Sequence, residues 1–135
     1  MVNDGARIEA TLEQLAERVG DPAPQVYARL FELAPGLAPM FAMDTDGSVR
    51  AEMLHRAFET LLDLTGEAGG DTARAMIETE YVNHCGMGVP PEQFFLFFEA
   101  ISEVTRCALG EAFTADDDAA WRGLLGRLRG LVGQA

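Results

Sequence analysis

Lysine is absent from these 135 residues: all ten basic side chains are arginines, set against 22 carboxylates for a net charge of -12. Such a field repels nucleic-acid phosphates and anionic lipid headgroups, which excludes binding to a phosphate backbone as the chain's main work. The acid is spread along the chain rather than gathered in a tail, as expected of a solvated surface that confers solubility. Cysteine is scarce too. Cys85 and Cys107 have neither CxxC nor any other metal spacing, and two thiols in a chain this long make no disulfide framework, so both are expected as small buried residues. The only histidines, His55 and His84, form no HxxxH or HExxH pair and have no cysteine at ligand spacing, which excludes a four-coordinate zinc site built by protein side chains. No run approaches the ~20 apolar residues of a membrane span. The opening MVNDGARIEATLEQ lacks the basic start and continuous apolar stretch of a targeting signal. The expectation is a soluble, cytoplasmic protein with neither a membrane nor a nucleic-acid partner.

Alternation of period two is missing as well, and what is present throughout is helical periodicity. Ile8, Leu12, Leu15, Ala16 and Val19 form one apolar face, closed by Gly20. Asp21 and Pro22 open a second helix carrying Val26, Tyr27, Leu30, Phe31 and Ala34. The stretch APGLAPMFAMDTDGS, with two prolines and two glycines, holds a short helical turn at most, after which Ser48 is expected to cap a helix carrying Met53, Leu54, Ala57, Phe58, Leu61 and Leu62. That helix ends at the loop TGEAGG. Asp71 begins the next, which runs through Met76, Ile77 and Tyr81 to HCGMG. Pro90 and Pro91 then start a helix from Phe94 to Leu109. Four of the eight phenylalanines lie at positions 94 to 98, so this helix is expected at the centre of the core. Thr114, followed by Asp116, Asp117 and Asp118, starts the last helix, with Trp121, Leu124, Leu128 and Leu131 on its apolar side. The fold class is all-α, six to seven helices around one core, a single domain over residues 1–135.

His84 stands four residues ahead of a Gly-Val-Pro-Pro break. A histidine in a helix's last turn can simply be a cation near the negative end of the dipole. Imidazole is also the commonest side-chain metal ligand and the usual axial ligand of haem iron. A haem needs only one protein ligand, because the porphyrin supplies four nitrogens, and it needs a large apolar cavity that a helical chain of this composition can line.

Four segments carry a resemblance: QVYARLFELAPGLAPMFAM, SVRAEMLHRAFETLLDL, NHCGMGVPPEQF and AAWRGLLGRL. Together they resemble a bacterial globin, in particular the haem domain of flavohaemoglobins and their single-domain relatives, over about residues 8 to 132. The specific parts are the proline-containing turn ending in Met40-Phe41, with Tyr27 fourteen residues before the phenylalanine, and His84 followed by three residues, Gly88, Val89 and the prolines. The resemblance implies haem b with His84 as the proximal iron ligand, Phe41 stacked on the porphyrin, and Tyr27 as the distal hydroxyl that donates to bound oxygen. A buried tyrosine bonded to backbone is the competing reading of Tyr27. Leu54 aligns with the apolar residue over the iron. Arg50 aligns with the polar distal position and could reach a haem propionate or the ligand, with Val49 taking the place if the gap before it shifts by one. His55, about 100° around the helix from Leu54, is peripheral.

The implied function is reversible binding of O2, NO or CO, with oxygen transport among the family's roles. A hydrogen bond to bound oxygen would contribute roughly 1.5 to 3 kcal/mol. NO-detoxifying activity would require an external reductase, since no flavin domain is present. Two departures count against strong electron donation to iron: Phe94 and Leu125 stand where the resembled domains have tyrosines, and no acid replaces the one that supports the proximal histidine. They keep open an alternative of a different class, a haem-free globin-like sensory or protein-interaction module. The last two helices offer a surface through which a homodimer could form.

Overall fold

Helix boundaries follow the punctuation of the chain in most places. The computed structural model describes residues 3–66 and 70–132. Helix α1, Asp4–Val19, begins where the Asn3 side chain accepts the Ala6 N–H at 2.7 Å, and it ends at Gly20, whose φ of +78° suits a residue without a Cβ. Asp21 accepts the Ala23 N–H at 3.0 Å and opens α2, Ala23–Leu33. The proline-rich stretch forms a 3-10 helix over Pro35–Phe41.

Helix α3, Ser48–Thr65, starts differently from the expectation. Ser48 is already helical and caps nothing. The carboxylate of Asp44 instead accepts the N–H groups of both Val49 and Arg50 at 3.0 Å, while Asp46 accepts that of Ser48. An ionised carboxylate is the stronger acceptor for orphan helix donors, and Gly47, at φ +78°, lets the loop fold back far enough for Asp44 to reach them. Part of the expected loop after α3, residues 67–69, lies outside the described residues.

Helix α4 is Asp71–Gly86, and the expected start of the following helix is displaced. Pro91–Gln93 form a 3-10 turn, and α5 begins only at Leu96 and runs to Leu109. The i to i+3 bonds from Gln93 N–H to the Pro90 carbonyl and from Phe94 N–H to the Pro91 carbonyl hold this tighter turn. It carries the Phe94 and Phe95 rings to within 5.4 and 6.2 Å of Tyr81 on α4, centroid to centroid. Helix α6, Ala115–Leu131, opens with a reciprocal pair: Asp117 N–H donates to the Thr114 hydroxyl at 3.1 Å and Thr114 N–H to the Asp117 carboxylate at 2.9 Å.

Among the described residues there are six α-helices and no strand, and no helix is long and apolar enough to cross a membrane. Helix α5 packs against α1, α2 and α6, with Ala100 and Ile101 fully buried, as the phenylalanine density predicted. Helices α3 and α4 pack on each other to one side. The cysteines differ from the expectation: Cys85 on α4 is half-buried, and Cys107 is exposed because the tight packing of α5 is made by Ile101, Thr105 and Leu109 on its opposite side.

Trp121 is completely buried, and its indole N–H donates to the Thr11 hydroxyl at 3.0 Å, which itself donates to the Ile8 carbonyl at 2.7 Å. This chain of bonds fixes α6 on α1 inside the apolar core. Trp121→Phe removes the donor and is expected to lower unfolding free energy by about 1–3 kcal/mol in denaturant titrations, at an unchanged m-value.

Candidate functional site

A cavity of about 350 Å³ lies between α3 and α4, within the size range of cofactor pockets. Its wall includes Leu30 of α2, Asp44 of the loop before α3 and five further stretches of chain. Leu37, Met40 and Phe41 come from the 3-10 helix after α2, and Val49, Met53, Arg56, Ala57 and Thr60 from one face of α3. Met76, Ile77, Glu80 and His84 come from the facing side of α4, and Met87, Val89 and Phe94 from the turn after it. Phe97 and Phe98 of α5 add to the wall, which is largely apolar. Its exposed apolar residues are Met43, Met87, Val49 and Met40, 93%, 61%, 53% and 44% exposed respectively, which mark the mouth.

His84 sits in the last turn of α4 with its ring on the cavity wall. Its Nδ1 lies 2.7 Å from the carbonyl oxygen of Glu80, one turn earlier in the helix. A carbonyl can only accept, so Nδ1 carries a proton and donates, which leaves Nε2 as the nitrogen that could offer a lone pair. Among the described residues Nε2 has no hydrogen-bond partner. The helix end beneath the ring is fixed by Val89, whose N–H donates to the His84 carbonyl at 2.9 Å after the chain turns at Gly88, φ +104°. The edge of Phe94 stands 5.5 Å from the imidazole. Leu125, the other position noted for its missing tyrosine, is half-buried and packed against the core. The support of the imidazole is therefore a backbone carbonyl and not a carboxylate, in keeping with the missing acid.

Phe41 also lines the cavity, held by ring contacts to Tyr27 at 5.5 Å and Phe31 at 5.7 Å. The other three candidates lie off the wall. The Tyr27 hydroxyl donates to the Arg50 carbonyl at 2.8 Å, the competing backbone bond. Burial, with a lesser contribution from Asp44 and against the pull of Arg50, pushes its pKa up, so the phenol stays a neutral donor. The Arg50 side chain folds back on Asp44, with Nε 3.0 Å from the carboxylate and Nη2 2.9 Å from the carbonyl oxygen. Leu54 is 4% exposed and belongs to the central core with Leu61 and Leu64. On α3 the cavity is faced instead by Val49 and, one turn on, Met53, the alternative register by one residue. His55 is peripheral, 66% exposed and beside Glu59.

Sequence reasoning missed the methionines. Five of the chain's six methionines, all but Met1, line this cavity. Their spacing along the chain is irregular, and the only available signal was their crowding near Phe41 and His84. Asp44 was missed as well, although Asp-Thr-Asp-Gly-Ser offered a carboxylate ahead of the helix. Burial opposes ionisation of Asp44, but hydrogen bonds from the Val49 and Arg50 N–H groups and the Arg50 guanidinium outweigh it and hold the carboxyl below the ordinary aspartate range.

The globin family model matches residues 24–130. No curated protein and no solved structure gives a significant match.

A carboxyl whose pKa is lowered on folding stabilises the native state above its unfolded pKa and ceases to do so as pH falls through the folded value. Asp44→Asn is accordingly expected to lower Tm at neutral pH, with the gap from wild type constant above about pH 4 and closing below it. Thermal melts at a series of pH values measure this. A gap that widened in acid would show that Asp44 does not fold as the charged cap.

Proposed function

The chain belongs to the globin family, and from that premise we propose that the cavity between α3 and α4 holds a haem b and that His84 ligates its iron through Nε2. The observation that carries this reading is the 2.7 Å bond from His84 Nδ1 to the Glu80 carbonyl, which sets the tautomer and orientation a metal-ligating imidazole requires. Phe41 and Phe97 supply aromatic surface for a flat apolar group, and the methionine side chains can adapt to its edges. Arg56, on the wall, 57% exposed and paired with Glu52 at 2.8 Å, would have to exchange that partner to meet a peripheral carboxylate. Bound there, haem supplies a ferrous centre able to take up a diatomic gas reversibly.

The chain's own residues favour binding over turnover. A carbonyl partner raises imidazole basicity less than a carboxylate would, so His84 gives little of the electron donation that bond-breaking oxygen chemistry draws on. The apolar face of α3 keeps water from the side opposite His84. NO dioxygenation would need electrons from a separate reductase. The resemblance of the motifs to flavohaemoglobin haem domains supports a single-domain bacterial globin.

The haem-free alternative has a physical cost. Without an occupant, the apolar side chains lining the 350 Å³ cavity would stand against water, a cost that grows with the apolar area left wet. An occupant removes most of that cost.

Hemin titration of the purified protein tests the proposal. The wild type is expected to give a sharp Soret band that moves on dithionite reduction and again with CO. His84→Gly should lose it, keep its far-ultraviolet circular dichroism, and regain it with free imidazole. A broad band removed from the wild type by gel filtration would refute the haem reading.

A further inference from the structure

We propose that the gas site offers no hydrogen-bond donor on the side opposite His84, and therefore favours a weakly polar diatomic, CO or NO, over dioxygen. The inference rests on the haem reading and deepens it. Dioxygen bound at a ferrous centre withdraws electron density and becomes partly negative, so its residence depends strongly on a nearby donor; CO stays almost apolar and gains little from one.

Among the described residues, the side-chain donors near the face opposite His84 are engaged elsewhere. The Tyr27 hydroxyl donates to the Arg50 carbonyl at 2.8 Å, inside a ring cluster with Phe41 and Phe97. The Arg50 guanidinium is held by two bonds to Asp44, one to the carboxylate at 3.0 Å and one to the carbonyl at 2.9 Å. The α3 side chains facing the cavity in successive turns are Val49, Met53 and Ala57, none of which has an N–H or O–H to give. Thr60, farther along, donates its hydroxyl to the Arg56 carbonyl at 2.8 Å. Arg56 is 57% exposed and bonded to Glu52 at 2.8 Å. Gln93 carries an amide with no bond of its own among the described residues, but it lines the cavity from the turn whose next residue, Phe94, packs on the His84 ring, and so enters from the His84 side.

The three hydrogen bonds that empty the wall support one another. Releasing Tyr27 toward the cavity would break its bond to the Arg50 carbonyl, and releasing the Arg50 guanidinium would leave the buried Asp44 carboxylate with its two backbone donors alone. Selectivity against dioxygen is thus tied to the same bonds that start the helix.

The test measures O2 and CO dissociation rates of the ferrous holoprotein by flash photolysis and stopped flow. Tyr27→Phe is expected to leave the O2 rate within about twofold, since its hydroxyl touches no ligand. Val49→Gln places an amide donor on the bare wall and should slow O2 release about 10- to 100-fold while changing CO release less than about threefold. Acceleration of O2 release tenfold or more by Tyr27→Phe would overturn the inference, because the hydroxyl would then be the donor. So would O2 and CO responding equally to Val49→Gln. A wild-type protein that forms no Soret band at all would instead bring down the haem reading, a result visible before any gas is added.

Discussion

The carboxylate of Asp44 receives the first free N–H groups of α3 and the guanidinium of Arg50, and by doing so it sets where that helix begins and which way it is turned. With the rotation set, Val49 and Met53 face the cavity, while Leu54, Leu61 and Leu64 face the core. A helix started one residue later would turn each side chain by about 100° and exchange these roles. The Arg50 carbonyl, in the first turn of α3, also accepts the Tyr27 hydroxyl, which couples α2 to α3 and holds that hydroxyl off the cavity wall. The helix start, the position of one aromatic ring and the polarity of one wall thus depend on the same carboxylate.

The facing wall is organised by backbone rather than by charge. A helical carbonyl at Glu80 orients the His84 ring, and the turn at Gly88 returns the Val89 N–H to the His84 carbonyl, so the imidazole is held from two sides. The 3-10 turn at Pro91 brings Phe94 against the same ring. This arrangement leaves Nε2 of the imidazole without a hydrogen-bond partner among the described residues, at the edge of an apolar space, as the proposed haem site would require. The methionines around it are long, unbranched and polarisable, and fill irregular space without fixing a shape.

Much of this was legible in the chain. Proline, glycine and carboxylate punctuation marked most helix boundaries, and the density of phenylalanine placed α5 at the centre. The spacing from Tyr27 to Phe41 and from His84 to Gly88 was enough for a family resemblance, and the match over residues 24–130 agrees with it at the level of the globin family. Errors arose where two local signals competed. Ser48 and Asp44 are both capable caps, and the choice depends on whether a loop can fold back, which Gly47 permits. Phe94 and Phe95 fit a helical period, yet a tight turn after Pro91 serves them better because Tyr81 and His84 stand opposite.

The sequence by itself determined the fold class, the core helix and the positions of His84 and Phe41, because periodicity and turn chemistry act within a few residues of each other. Only the tertiary structure decided the rotation of α3, the hydrogen bond that holds Tyr27 away from the cavity, and the gathering of five methionines on its walls. Each of these depends on groups far apart in the chain or on a one-residue shift in helical phase. Such a shift leaves the apolar pattern of α3 almost unchanged and yet replaces every side chain that a ligand would meet.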